Sequence, residues 1–229
     1  MNDASIADIL KVYLGQNAGE AVLAGNMSRG KSFKVTAAIL IVDIRGSTPL
    51  LQKLGTDSYI DIINKLFDIV TPHVRANDGE VLQFTGDGML AVFPESAEAK
   101  AGGFTCPIAI QNAYTAAVGA DKATLDGDLP ASLGFGLSYG PVDYGNVGAE
   151  DRLTFTVISA EVSRADRLQS LCPLGDSNVA ISGDCAPHLP DGARASLNPT
   201  ALSDQSSRAT LSPKNGASIP CHRTPNPPA

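Results

Sequence analysis

Two aspartates of the 229-residue chain stand at the ends of apolar stretches. Asp43 closes the run Ala37-Ala38-Ile39-Leu40-Ile41-Val42, and Asp87 lies in Gly86-Asp87-Gly88 between Val81-Leu82 and Met89-Leu90-Ala91-Val92-Phe93. A short apolar run rich in β-branched residues predicts a strand buried on both faces, which puts Asp43 where that strand emerges. A Gly-Asp-Gly segment between two apolar segments predicts a hairpin turn. If the first strand lies beside that hairpin, the carboxylates converge, and two converging carboxylates can hold Mg²⁺ ions and a triphosphate. Taken singly, Asp87 reads as an ordinary type I′ turn residue and Asp43 as a strand-end cap. Taken together, they favour metal binding.

The elements that must position this pair follow from periodicity. Ile6, Ile9, Leu10, Tyr13 and Leu14, then Val22 and Leu23, run close to helical spacing, with Gly15, Gly19 and Gly25 predicted to break the segment into two short helices. Asn26 to Lys34 reads as a loop, and the buried strand begins after it. Tyr59, Ile63, Leu66, Phe67, Val70 and Val74 mark residues 57–77 as the best amphipathic helix. The hairpin strands are expected near 80–84 and 88–93, a helix within the alanine-rich residues 96–120, and a further strand over Ser132 to Ser138. The order so far is βαββαβ, an α+β, ferredoxin-like, palm-type core. Gly140-Pro141 is expected to turn the chain into short strands at 142–148 and 153–157, followed by a helix over 160–171. The division expected is a helical lead-in at 1–34, a folded domain at 35–186 and an irregular Pro/Ser-rich tail at 187–229.

Composition narrows the partners. A hydrophobic content of 43% supports a real core, and a net charge of −7 without a basic cluster argues against nucleic acid. Cys106, Cys172, Cys185 and Cys221 are scattered without Cys-x-x-Cys or zinc-ligand spacing, so reduced structural thiols are expected. The N-terminus lacks a secretory pattern, and no apolar run approaches the ~20 residues that span a bilayer, so a cytoplasmic protein without a membrane span is expected.

Val42-Asp43-Ile44-Arg45-Gly46-Ser47-Thr48 and Phe84-Thr85-Gly86-Asp87-Gly88 resemble the two metal-binding motifs of the class III nucleotide cyclase catalytic domain. A third block continues the resemblance: Gly134-Phe135-Gly136-Leu137-Ser138-Tyr139-Gly140-Pro141-Val142, Gly145-Asn146-Val147-Gly148, Thr156-Val157-Ile158 and Arg164-Ala165-Asp166-Arg167-Leu168. Each tripeptide alone is weak evidence; the ordered set over about residues 35–182 is strong. The resemblance implies that Asp43, Asp87 and the backbone carbonyl of Ile44 bind two divalent cations, Mg²⁺ or Mn²⁺. One cation would activate the ribose 3′-hydroxyl, while the other grips the triphosphate as pyrophosphate leaves. Gly46, Ser47 and Thr48 would meet phosphate oxygens at a helix N-terminus, or serve as a plain cap. Arg152 matches a phosphate-side arginine but reads equally as a solvated loop charge. Arg167 matches the arginine that steadies the pentavalent phosphorus, and Arg164 is then expected to be the solvent-facing neighbour.

Three positions depart from the family pattern. Gln83 stands where adenylate cyclases place a base-reading lysine, although its expected partner, Thr156, is familiar. The glutamate and cysteine typical of guanylate cyclases are absent from both positions. A glutamine amide donates and accepts, so it could face more than one base edge. Ser163 replaces the family asparagine that orients substrate. The resemblance also implies a homodimer, with Asp43 and Asp87 of one protomer working beside Gln83, Thr156, Ser163 and Arg167 of its partner. With no sensor domain evident, regulation is expected through the N-terminal helices, the tail or a separate protein. Cyclisation of ATP to cyclic AMP is the first expectation. GTP or a pyrimidine triphosphate is a second, and a weakly active or inactive regulatory module a third. A diguanylate cyclase is disfavoured because the hairpin carries no Gly-Gly-Asp/Glu-Glu-Phe turn.

Overall fold

The structure is a computed structural model, and it describes residues 32–95, 103–110, 112–114, 133–172, 178–189, 197–201 and 207–211, with residues 6, 23–25, 30 and 191 as isolated positions. The expected N-terminal helices, and Cys221, lie outside the described residues. Strand β1 (Ser32–Ile44) leads into helix α1 (Ser47–Leu54) and helix α2 (Thr56–Ala76), then the hairpin of β2 (Glu80–Thr85) and β3 (Gly88–Pro94). Residues 103–110 and 112–114 are helical and are called α3. They are followed by β4 (Leu133–Ala149), β5 (Arg152–Ile158), α4 (Ala160–Ser170), β6 (Asn178–Ser182), a 3-10 turn (Gly183–His188), β7 (Leu197–Ala201) and β8 (Ser207–Leu211).

The strand order β2-β3-β1-β4 is antiparallel throughout, so β1 and β2 run parallel on either side of β3 and are joined by α1 and α2. This is the split arrangement expected of the βαββαβ core. Beyond it, β6 pairs parallel with β4, β8 pairs with β6, β7 pairs with β8, and β5 folds back on the distal half of β4.

Alternation along β1 divides the sheet into two faces. Ala38, Leu40, Val42 and Ile44 point into the larger core with Met89, Ala91, Phe93, Leu133, Phe135 and Leu137. That face is covered by Tyr59, Ile62, Leu66, Val70 and Val74 of α2, by Leu50 of α1, and by Phe104, Cys106 and Ile110 of α3. Ala37 and Ile39 point the other way, into a smaller cluster with Leu90, Val92, Val142, Tyr144, Val157 and Ala165. By the same parity Asp43 belongs to this second face.

Four expectations change. The chain does not turn at Gly140-Pro141: β4 runs through, pairing Gly140 with Ala37 and Pro141 with Thr36. The physical reason lies at the other edge of β4, which pairs β6 as far as Leu137 and β5 only from Asp143. Pro141 falls in the gap between them, where a proline is tolerated. The loop expected to Lys34 ends sooner, because Ser32, Phe33 and Lys34 already pair with Gly145, Tyr144 and Asp143. Within the segment read as an irregular tail, β7 and β8 extend the sheet, since β6 presents a further edge. The hairpin turn is not type I′: Gly86 has φ 73°, but Asp87 is not in the positive-φ region. A glycine at the first central position is the pattern of a II′ turn.

Candidate active site

Asp43 stands one residue before the end of β1, between two glycines on its neighbouring strands. On one side its cross-strand partner is Gly134 of β4. On the other, a Cβ on Gly88 would lie 2.9 Å from Asp43 Oδ1 and 2.8 Å from the Val42 carbonyl oxygen. The close approach of Gly88 needs a residue without a side chain. Burial, and next the charge of Asp87, hold the Asp43 carboxyl above the usual carboxylate range; hydrogen bonds from the Gln169 side chain and the Ile44 backbone N–H, together with the Arg45 charge, oppose this.

Asp87 follows Gly86 in the β2–β3 turn. The Tyr59 hydroxyl of α2, itself buried, donates to the Asp87 carboxylate and accepts from the Ser47 hydroxyl. Burial, and next the Asp87 charge, push the Tyr59 phenol up. Asp87 Oδ2 is buried and, among the described residues, has no hydrogen-bond partner. A buried carboxylate oxygen left unpaired is costly unless a ligand satisfies it. No group of three or more His, Cys, Asp or Glu side chains is placed to hold a metal ion among the described residues. Two carboxylates with an orphaned oxygen instead suit a cation that completes its shell with water and substrate phosphates, as Mg²⁺ does.

The structure therefore brings together Asp43, Asp87 and Ser47, with Ile44 adjoining. Gly46 is the cap residue of α1, at φ 72° and without a side-chain cap bond. The cap position is thus taken by Gly46 and not by Ser47 or Thr48: the Ser47 hydroxyl meets Tyr59, and Thr48 is exposed. Gln83 is exposed on β2 at a bulge, and Thr156 is half-buried on β5 opposite Gly145. Their neighbours Leu82, Phe155 and Val157 share one apolar cluster, which brings the two strands together. Arg152, expected in a loop, begins β5 opposite Ala149 and is exposed.

Helix α4 starts at Ser159, whose Oγ accepts from the Glu161 and Val162 backbone N–H groups at 3.2 and 3.3 Å. Its inward face carries Glu161, Ala165, Leu168 and Gln169; Ser163 and Arg167 are exposed. Arg167 Nε donates to the Ser163 carbonyl oxygen at 3.4 Å. Arg164, expected to face solvent, is instead partly buried. It lies 3.3 Å from Glu161 and 2.8 Å from Asp184, because buried Glu161, which also accepts from Ser138 Oγ, draws its charge inward.

Gln169, Tyr59 and Arg45 escaped the sequence reading. Gln169 had one visible signal, a polar residue in line with Ala165 and Leu168 on the inward face of a helix.

Comparisons with known proteins now bear on this geometry. No family model matches the chain. An uncharacterized protein of Mycobacterium tuberculosis is 30% identical over 152 residues, covering 65% of this chain and 26% of that protein. The chain spans about a quarter of the length of the curated relatives it matches. Among solved structures, a bacterial light-regulated adenylyl cyclase superposes with TM-score 0.76 at 23% identity, over 90% of this chain and 60% of that one. The guanylyl cyclase Cya2 gives 0.64 at 21% identity, over 80% and 92%. A class III adenylyl cyclase-like ATP-binding protein from Pseudomonas aeruginosa gives 0.65 at 16% identity, over 75% and 38%.

Proposed function

From a chain that has the fold of the class III adenylyl and guanylyl cyclase catalytic domains, and that carries its own carboxylate pair, we propose a nucleotide cyclase converting ATP to 3′,5′-cyclic AMP and pyrophosphate. The observation that carries this is the juxtaposition of Asp43 and Asp87, with Asp87 Oδ2 buried and without a hydrogen-bond partner among the described residues. Asp43, Asp87 and the Ile44 carbonyl would hold two divalent cations, Mg²⁺ or Mn²⁺, whose charge when bound favours ionisation of the ribose 3′-hydroxyl and departure of pyrophosphate.

The chain's own residues do the rest. Backbone N–H groups after Gly46, at the start of α1, face phosphate oxygens with Thr48 beside them, while Ser47 holds Tyr59 against Asp87. Arg167 neutralises the charge that develops on the phosphorus oxygens, and Ser163, one turn earlier, orients the substrate. Gln83 and Thr156 read the base, and Arg152 adds a cation on the triphosphate side.

Arg167 and Gln169 are two residues apart on one helix, about 200° around it. Since Gln169 reaches Asp43 from the buried face, exposed Arg167 points away from its own chain's carboxylates. This supports a site shared between two protomers, in which Arg167 and the base readers of one chain serve the carboxylates of the other.

Two other readings have support. Gln83 in place of lysine, with a guanylyl cyclase among the structural matches, favours GTP or another triphosphate as substrate. Ser163 in place of asparagine, with an ATP-binding cyclase-like protein among the matches, favours a nucleotide-binding regulatory module. The purified protein should be incubated with ATP, GTP, CTP or UTP and Mn²⁺, beside its Asp87→Ala variant, and the products read by mass spectrometry. Cyclic AMP formed by the wild type and lost in the variant is the expected result. Cyclic product only from another triphosphate changes the substrate, and no product from a dimeric sample leaves the regulatory module.

A further inference from the structure

Asp43 is reached from the helix side by a residue that no motif marks. Gln169 is 3% exposed, and its Nε2 donates to Asp43 Oδ2 at 2.9 Å. The amide orientation follows from its partners. A carboxylate only accepts, so the NH₂ end must face Asp43, while Ser170 Oγ meets Gln169 Oε1 at 3.4 Å.

The approach exists because β4 presents two glycines to α4. Gly134 pairs with Asp43 across the sheet, and a Cβ there would lie 2.7 Å from Arg45 Cδ and 3.1 Å from Gln169 Nε2. Gly136, two residues on and therefore on the same face, would drive a Cβ into the Ala165 carbonyl and to 2.7 Å from the Gln169 backbone nitrogen. With both side chains missing, α4 settles onto β4 and the Gln169 amide passes over Gly134 to the carboxylate.

Gln169 takes one Asp43 oxygen and leaves the other. Oδ1 is the atom that a Cβ on Gly88 would approach to 2.9 Å, and Gly88 adjoins Asp87. The second carboxylate offers an oxygen, Oδ2, that is buried without a hydrogen-bond partner among the described residues.

We propose that Gln169 is a positioning residue of the cation site: by holding Asp43 Oδ2 it fixes the rotation of the carboxylate, so that Oδ1 is presented on the Asp87 side for a shared divalent cation. Outer partners of this kind orient ligating carboxylates in metal sites. The inference rests on the metal reading of Asp43 and Asp87 given above.

The test uses the full chain without nucleotide and Mn²⁺ as the probe, with binding followed by electron paramagnetic resonance and folding by thermal melt. The wild type is expected to bind Mn²⁺, and Asp87→Asn to lose it. Gln169→Met keeps the length and packing of the side chain but removes the donor. It should melt cooperatively and bind Mn²⁺ about 10–100-fold more weakly. Should that variant not fold, Gln169→Asn, which keeps an amide but withdraws it by one methylene, is expected to weaken binding in the same direction. A role in packing alone would shift the melt and leave the Mn²⁺ titration unmoved. Wild-type Mn²⁺ affinity in either folded variant overturns the positioning role while the metal reading stands. Absence of Mn²⁺ binding by the wild type overturns the metal reading and the positioning role with it.

Discussion

One face of the sheet is closed by α1, α2 and α3 over the larger core, from Ala38 to Leu189; the other is covered at one end by α4 and, among the described residues, is partly open. On the closed face Leu66, Val70, Phe93 and Phe135 are fully buried. On the open face Phe33 is 56% exposed and stacks on Tyr144, with ring centroids 5.4 Å apart and planes within 6°. Asp43 lies on the open face, where α4 meets it through Gln169. The comparison separates stability from chemistry. The larger apolar core sits behind the sheet, and Asp43 sits in front of it.

That separation can be broken most sharply by Asp87→Ala. If the carboxylate pair holds cations, losing several kcal/mol of charge stabilisation should lower cyclic-product formation by about 10³-fold or more. Metal-free stability should stay near wild type, because the hydrogen bond lost from Tyr59 is offset by removing an oxygen that is buried without a partner among the described residues and a charge that opposes Asp43. Product formation and urea unfolding, measured on one preparation, check both halves.

Next in size is Phe93→Ala, on the closed face. Phe93 is fully buried, and a truncation of this kind costs about 3–5 kcal/mol. Urea denaturation should show the loss, while any chains still folded should keep the wild-type Mn²⁺ affinity. A variant with normal stability but weakened Mn²⁺ binding would contradict the division between the faces. Gly136→Ala tests the joint between them. The obstacle is backbone of α4, which cannot swing aside as a flexible side chain would. A cost of about 1–3 kcal/mol is expected, together with weaker Mn²⁺ binding as Gln169 is lifted from Asp43. An unchanged Mn²⁺ titration would show that α4 does not transmit its position to the carboxylate.

Most of the core and half of the site were legible in the sequence. Two-residue and three/four-residue periodicity found β1, the hairpin, α2 and α4, because each buries one regular stripe. Gly140-Pro141 misled because a proline is read as a stop unless the partner strands are known; here β6 and β5 leave that stretch of β4 unpaired on one edge. Asp43 and Asp87 were legible because carboxylates at the ends of apolar runs need a reason. Gln169 and Tyr59 were not, since what they hold lies 126 and 28 positions away, as counted from Asp43 and Asp87. Nothing local tells a buried amide that steadies a carboxylate from a helix residue with ordinary packing.

The smallest expected effect belongs to the closed face and concerns pH. His73, on α2, is half-buried, and its Nδ1 is buried without a hydrogen-bond partner among the described residues. Burial disfavours the imidazolium and holds the side chain below its ordinary value of 6.5. The unfolded chain therefore binds the proton more readily than the folded one. The neutral form's contribution to stability is present above pH 6.5, and is lost as pH falls from there through the lower folded value. His73→Leu removes this term, so the wild type should lose more melting temperature than the variant between pH 7 and the acid side of 6.5. The difference should be modest, because the ring keeps contact with solvent. Parallel melting curves would mean that His73 titrates alike in both states, and that even the closed face admits water to this ring.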